Sequence, residues 1–211
     1  MRRPRFIAEQ SRHARGLLGR FIAFVMARET LADNERASEA LAIKENDHIL
    51  DVGCGHGRGL AALAARARRG RVVGADPSDL MAEIAMTRNQ ALVKAQKVEI
   101  VVATASDLPF GDAVFDKALC VHVIYFWKDL GTGFREISRV LKPGGTFSLV
   151  FRSSQHTAAV QAFPADVYRF PDVEEVTSAL ADAGFSIVGE DAQDEGLHRP
   201  HMIVAVRVDG R

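Results

Sequence analysis

The residue pattern predicts an α/β fold of the doubly wound kind: a mostly parallel, seven-stranded sheet with helices on both faces and an antiparallel hairpin at its end. Three observations carry that expectation. Short apolar runs alternate with stretches of helical periodicity from residue 47 to residue 151. The first run passes through a glycine-packed turn straight into a helix, as a strand does when it opens a βαβ unit. The last two runs, 185–189 and 202–208, follow one another closely, which suits antiparallel neighbours because parallel ones need a long crossover.

Taken in order, the chain opens with a basic segment in which Arg2, Arg3, Arg5, Arg12, Arg15 and Arg20 face only Glu9. A solvated helix face is the ordinary reading of such a charge run, and an organelle-targeting or membrane-surface helix is the alternative. Leu17, Leu18, Phe21, Ile22, Phe24 and Val25 give residues 15–26 one apolar helical face. Asp33 and Asn34 are expected to cap a second helix over 35–43. Residues 1–45 are therefore read as a helical lid, and 46–211 as the binding domain. Strands are expected at 49–52, 71–75, 98–103, 117–121 and 146–151, with helices after the glycine turn, over 80–93 and over 129–141. Lys142-Pro143-Gly144-Gly145 is the stop signal for the last of these. Residues 153–172 break the periodicity, a length of connection that often marks a binding loop. A helix over 174–183, closed by Gly184, precedes the final strand pair, whose loop is expected at 193–200.

At 211 residues and 47% hydrophobic composition, the chain is long enough for one domain with an ample core. Lys+Arg and Asp+Glu both count 27, so no global field draws it to nucleic acid, and none is expected as a partner. Phe21–Ala27 is too short an apolar run to span a bilayer. The two cysteines, Cys54 and Cys120, form no Cys/His cluster at metal-ligand spacing, so no metal is expected, and a reducing, cytoplasmic compartment fits their use.

The informative stretch is Asp47–Gly59, DHILDVGCGHGRG. Gly53, Gly55, Gly57 and Gly59 alternate between strand and helix, so a ligand can approach the backbone without meeting a Cβ. The dinucleotide spacing G-x-G-x-x-G fails, because its third glycine would fall on Arg58 or Leu60. Asp51, at the strand's end, would repel a pyrophosphate and suits a ligand bearing an ammonium group. Asp76 ends the second strand 19 positions after Gly57, near the spacing at which doubly wound folds set an acid against ribose hydroxyls. Its plain reading is a helix cap, a task that Ser78 and Asp79 serve equally well.

Asp-Val-Gly-x-Gly-x-Gly resembles motif I of the class I S-adenosylmethionine-dependent methyltransferases. The Leu108-Pro109-Phe110 segment ahead of Phe115-Asp116, and Arg139-Val-Leu-Lys-Pro-Gly-Gly145, are similar to stretches of the small-molecule group that includes the ubiquinone and menaquinone C-methyltransferases. The resemblance implies S-adenosylmethionine as cofactor, a small-molecule acceptor, and a cofactor site drawn from Asp51, Gly53, Cys54, Gly55, His56, Gly57, Asp76, Pro77, Thr104, Ala105, Ser106 and Val121. In relatives of that group, an acid or amide at the position of Thr104 bonds the adenine amino group. This chain departs there: either the Thr104 hydroxyl still accepts the hydrogen bond, or Ser106 or Asp107 takes over the contact.

Methyl transfer from a sulfonium is a displacement that needs in-line alignment and no protein nucleophile. A general base for the acceptor is the one group it can use, and His122, just past the fourth strand, is the candidate, with an orienting or packing role as the alternative. Tyr125, Phe126 and Trp127 suggest either an acceptor pocket or burial against the lid. Two competing readings stay open: an NAD-dependent oxidoreductase on a Rossmann-like fold, and a non-catalytic binding module.

Overall fold

The structure is a computed structural model that describes residues 4–12, 16, 30–190 and 199–208. The helix expected over 15–26, the arginines at 2, 3, 15 and 20, and most of the 193–200 loop lie outside the described residues. Two helices, α1 (Arg5–Arg12) and α2 (Leu31–Ala40), precede strand β1 (His48–Val52). Then follow α3 (Leu60–Arg66), β2 (Arg71–Asp76), α4 (Asp79–Arg88), α5 (Gln90–Lys94), β3 (Val98–Val102) and β4 (Phe115–Val121). A 3₁₀ turn at Ile124–Phe126 leads to α6 (Leu130–Val140), β5 (Leu141–Phe151), α7 (Thr157–Ala162), α8 (Val173–Asp182), β6 (Phe185–Glu190) and β7 (His201–Arg207).

The seven strands lie in the order β3-β2-β1-β4-β5-β7-β6. β1 to β5 are parallel, and β7 enters antiparallel between β5 and β6, which is the expected hairpin end. Alternate side chains feed two cores, as a sheet covered on both faces requires. Leu50, Val52, Val73, Ala75, Ala118, Cys120 and Leu149 pack on one face with Phe134 and Ile137 of α6 and Val176 and Leu180 of α8. Ile49, Val72, Leu119 and Val150 pack on the other with Ala37 of α2, Leu41 after it, and Leu60 and Leu63 of α3. Among the described residues no helix is long and apolar enough to cross a membrane.

Four local expectations need correction. α2 starts at Leu31 with Thr30 at its N-cap, so Asp33 and Asn34 lie inside its first turn, and Asn34 Nδ2 donates back to the Thr30 carbonyl. The helix expected over 80–93 breaks at Asn89, whose buried amide donates to the carbonyls of Gly57 and Ala85. α6 stops at Val140, before Lys-Pro-Gly-Gly: Leu141 already pairs with Phe115, and Thr146 with Lys117, so residues 142–145 bulge out of the β4–β5 ladder. The 153–172 connection contains α7, with His156 Nδ1 accepting from the Ala159 amide.

Candidate functional site

β1 is flanked by β2 and β4, so the chain reverses its direction of travel across the sheet there, and doubly wound sheets open a crevice at that point. A cavity of about 620 Å³ occupies it, walled by the tips of β1, β2, β3 and β4 and roofed by α1 and α2 through Gln10, Leu31 and Asn34. The strands supply the floor because each one ends on a turn whose backbone cannot continue the ladder.

The turn after β1 is fixed to β2: the amides of Gly53 and Cys54 both donate to the Ala75 carbonyl, at 2.7 and 3.1 Å. Gly53 has φ +77°, and a Cβ on it would lie 2.3 Å from Cγ2 of Val123 at the β4 tip, so glycine is required twice over. Gly55 has φ +53°, and a Cβ there would meet no protein atom within 4 Å. It is the position at which the turn presents bare backbone to the cavity. Gly57 is different: it is not on the cavity wall, and a Cβ would strike Ala85 of α4 at 2.7 Å, so this glycine serves packing and not contact with a ligand.

Asp76 lies on the wall at the β2 tip. Its Oδ2 accepts from the Gly55 amide at 3.0 Å and its Oδ1 from the Ser78 amide at 2.9 Å, so it braces the glycine turn. Ser78, not Asp76, caps α4, with its side chain accepting from the Met81 amide. Asp51 is buried behind the glycine turn and does not reach the cavity wall. Burial, together with the charge of Asp76, pushes its carboxyl up to about 7. His56 is on the wall with Nδ1 accepting from the Arg58 amide at 3.2 Å, and burial and the neighbouring Arg88 push it down to about 4. It is therefore neutral at pH 7, with its proton on Nε2.

Pro77 lies beside Asp76 on the wall, and Ala103, Thr104, Ala105 and Ser106 form the wall at the β3 tip. The hydroxyls of Thr104 and Ser106 are 3.1 Å apart, whereas Asp107 is exposed and off the wall. This loop is clamped to α6. Glu136 accepts from the Leu108 amide, and Arg139 pairs with Glu136 and Asp112 while donating to the carbonyls of Leu108 and Phe110.

Val121, His122 and Val123 form the wall at the β4 tip. His122 sits at φ +60°, an uncommon conformation for a residue with a Cβ. Its Nδ1 is 2.9 Å from the Tyr125 hydroxyl and its Nε2 is 2.8 Å from Oδ2 of Asp33 on α2. The Tyr125 oxygen accepts from the Arg152 amide at 2.6 Å, so its single proton points at Nδ1, and the neutral ring carries its proton on Nε2, donated to Asp33. Burial, with Arg152 and Arg36 nearby, lowers the His122 pKa. Burial would raise Asp33, but the hydrogen bond from His122 and the charges of Arg36 and Arg152 bring it below its ordinary value. An open lone pair, which direct proton abstraction by His122 requires, is thus missing in this arrangement. Tyr125 is a core residue, while Phe126 and Trp127 reach the wall.

The comparisons bear on this geometry. A family profile described as "Methyltransferase domain" matches residues 50–149, the span from β1 to β5 that builds the floor. A demethylmenaquinone methyltransferase of Clavibacter sepedonicus is 32% identical over 177 residues, covering 72% of this chain and 70% of that protein. The chain belongs to the class I S-adenosylmethionine-dependent methyltransferases. Within this methyltransferase family it is also similar to O-methyltransferase cnsE of Penicillium expansum, 33% identical over 153 residues, covering 70% of the chain and 55% of the relative. It spans 49–58% of the length of three O-methyltransferase relatives of that kind. In fold it resembles geranyl diphosphate C-methyltransferase from Streptomyces coelicolor A3(2), solved with S-adenosyl-L-homocysteine, at TM-score 0.70 and 20% identity over 84% of this chain and 80% of that one.

Of the methyltransferase site expected from sequence, Gly53, Cys54, Gly55, His56, Asp76, Pro77, Thr104, Ala105, Ser106, Val121 and His122 are brought to one cavity, and Asp51 and Gly57 lie behind it. Sequence reasoning missed Asn34, Leu31 and Gln10 in the roof, Met81 on α4, and Lys128, Asp129, Thr132 and Gly133 around the start of α6. It also missed Asp33 and Asn89, which touch wall residues and not the cavity. Neither the helix break at Asn89 nor the individual roof residues gave a signal in the sequence.

Proposed function

We propose that this methyltransferase binds S-adenosylmethionine across the tips of β1 to β4 and transfers its methyl group to a small molecule admitted under α1 and α2. The observation that carries the reading is the bare backbone at Gly55, facing the cavity and tied through its amide to Asp76. A nucleoside needs a surface without Cβ atoms beside an acid. Asp76 would accept from the ribose hydroxyls: an ionised carboxylate offers about four lone-pair positions, so it can brace a turn and bind a diol together. Ala105 and the Thr104 and Ser106 hydroxyls suit the adenine edge. The turn at Gly53–Gly55 and the His56 Nε2 proton suit the methionine end, with Asp51 adding negative potential from behind for its ammonium. When bound, the cofactor supplies a methyl group on a sulfonium, and the fold's contribution is alignment and exclusion of water, worth up to about 7–11 kcal/mol when geometry is right.

Several relatives are named as O- or C-methyltransferases of small molecules, which supports an acceptor of that size. Phe126, Trp127 and Leu31 offer it an apolar surface. His122 is assigned an organising part, since both its nitrogens are engaged. Of the segment 1–45 expected as a lid, the described helix α1 and the first turns of α2 cover this site. The two free, buried cysteines support a reducing, cytoplasmic setting. Calorimetric titration with S-adenosylhomocysteine and with NAD tests the reading. Micromolar or tighter binding of the first alone is expected; tight binding of NAD alone would refute it. A methyl-incorporation screen over small hydroxylated and unsaturated acceptors then distinguishes an enzyme from a non-catalytic module.

A further inference from the structure

The two halves of α2 are held by different means. Its C-terminal half is part of the core: Ala37 and the following Leu41 are fully buried against the sheet, and Ser38 is 4% exposed. Its N-terminal half covers the cavity with Leu31 and Asn34. That half begins at Leu31, which is 39% exposed, so hydrophobic burial contributes little there. What fastens it is polar. Asp33 accepts from His122 Nε2, and Arg36, one turn on, donates to the Pro200 carbonyl ahead of β7.

The other end of the first bond is the β4 tip. The left-handed backbone at His122 aims the imidazole at α2 and swings the next residue, Val123, into the space left by the missing Cβ of Gly53. A non-glycine residue there is strained, a conformation that persists only where surrounding structure over-determines it. Here that structure is the relay from the Arg152 amide through Tyr125 and His122 to Asp33. One hydrogen-bonded chain therefore ties the end of β5, the tip of β4 and the roof, and Val123 packs that tip against the glycine turn.

We propose that Asp33 is a positioning residue of this methyltransferase: acting through His122, it latches the first turns of α2 over the cofactor cavity and seats the β4 tip on the glycine turn. The inference rests on the cofactor reading above. A latch of this kind makes the closed roof the populated state, and a ligand leaves only when the bond opens. Breaking it reduces the closed fraction and weakens apparent affinity in proportion.

The test is stopped-flow binding of S-adenosylhomocysteine to the full chain and to Asp33→Ala and Asp33→Asn. Asp33→Ala is expected to raise koff by about 10- to 100-fold, the factor that one lost charge-assisted hydrogen bond carries, while kon is unchanged or faster. Asp33→Asn still offers an oxygen to the His122 Nε2 proton and is expected to restore koff to within about threefold of wild type, since geometry is kept and only the charge is lost. Equal koff in wild type and Asp33→Ala overturns the latch, and so does a slower kon with unchanged koff, the sign of a damaged site. If Asp33→Ala does not fold, amide exchange of wild type decides: residues 31–36 are expected to gain protection when S-adenosylhomocysteine binds, and no gain overturns the proposal. Failure of wild type to bind the probe at all is a distinct result and overturns the cofactor reading first.

Discussion

Asp51→Asn is expected to make the fold more stable and the site weaker. Asp51 is 4% exposed, and burial together with the Asp76 charge pushes its carboxyl up to about 7. In the unfolded chain it titrates near 3.9, so the folded state binds the extra proton between those values. A raised folded pKa gives stability that is full below about pH 4 and is lost as pH rises through about 7. The ionised carboxylate thus costs roughly 4 kcal/mol at pH 8, three units at about 1.36 kcal/mol each, and roughly 2 kcal/mol at pH 5.5. Asparagine keeps the shape and removes that cost. Urea unfolding of both proteins at the two pH values should give a gain near these figures, halved at the lower pH. A destabilised variant at pH 8, or a gain that does not shrink on acidification, would show that Asp51 is held ionised by contacts stronger than its burial. Weaker S-adenosylhomocysteine binding by the same variant at pH 8 would explain why an acid is kept where it costs stability.

Gly53→Ala places a Cβ 2.3 Å from Val123 Cγ2 at φ +77°, so a loss of roughly 2–4 kcal/mol is expected from clash and left-handed strain. Gly53→Ala with Val123→Ala should recover the clash part only, read by thermal unfolding. Asp76→Ala removes the acceptor of the Gly55 and Ser78 amides and the expected diol partner, and calorimetry should show at least about 100-fold weaker S-adenosylhomocysteine binding. Binding of the same probe near pH 7 should release protons, because burial raises the Asp51 carboxyl and an ammonium nearby favours its ionised form. Binding heats that agree in phosphate and in Tris would exclude this.

How much was legible in the sequence followed the range of the interactions. The strands and the glycine turn were readable because apolar alternation and missing Cβ atoms are local signals: β1, β2 and β3 lie within one or two residues of expectation, and the hairpin end was visible from the short link between 189 and 202. The bulge at 142–145 was misread as a plain helix stop because Leu141, its true first strand residue, gains its place from Phe115, 26 positions earlier. The break at Asn89 was invisible for the same reason: its amide is satisfied by Gly57, 32 positions away. Gly57 looked like its neighbours Gly53 and Gly55 in the sequence, yet the three face a helix, a valine and open space. Identity of residue type told only that each position lacks a Cβ, not what lies where it would be. The bond between Asp33 and His122 spans 89 positions and joins two segments that carry no shared pattern, so His122 could be named and its partner could not.

Three of the aspartates around the cavity, Asp76, Asp33 and Asp51, show the physical content that such patterns leave out. Asp76 spends its oxygens on two backbone amides, Asp33 is kept ionised by a histidine proton and two guanidinium groups, and Asp51 has mainly a low-dielectric surround and the charge of Asp76. Asp51 is raised because it is fully buried beside the charge of Asp76, and Asp33, only part-buried, is lowered because the His122 hydrogen bond and nearby guanidinium charges outweigh its burial. Of the three, Asp51 is therefore the one whose charge a cationic ligand can change, and Asp33 the one whose loss moves a helix. Their chemical identity is the same, and their parts in the site are assigned by the partners that folding brings to them.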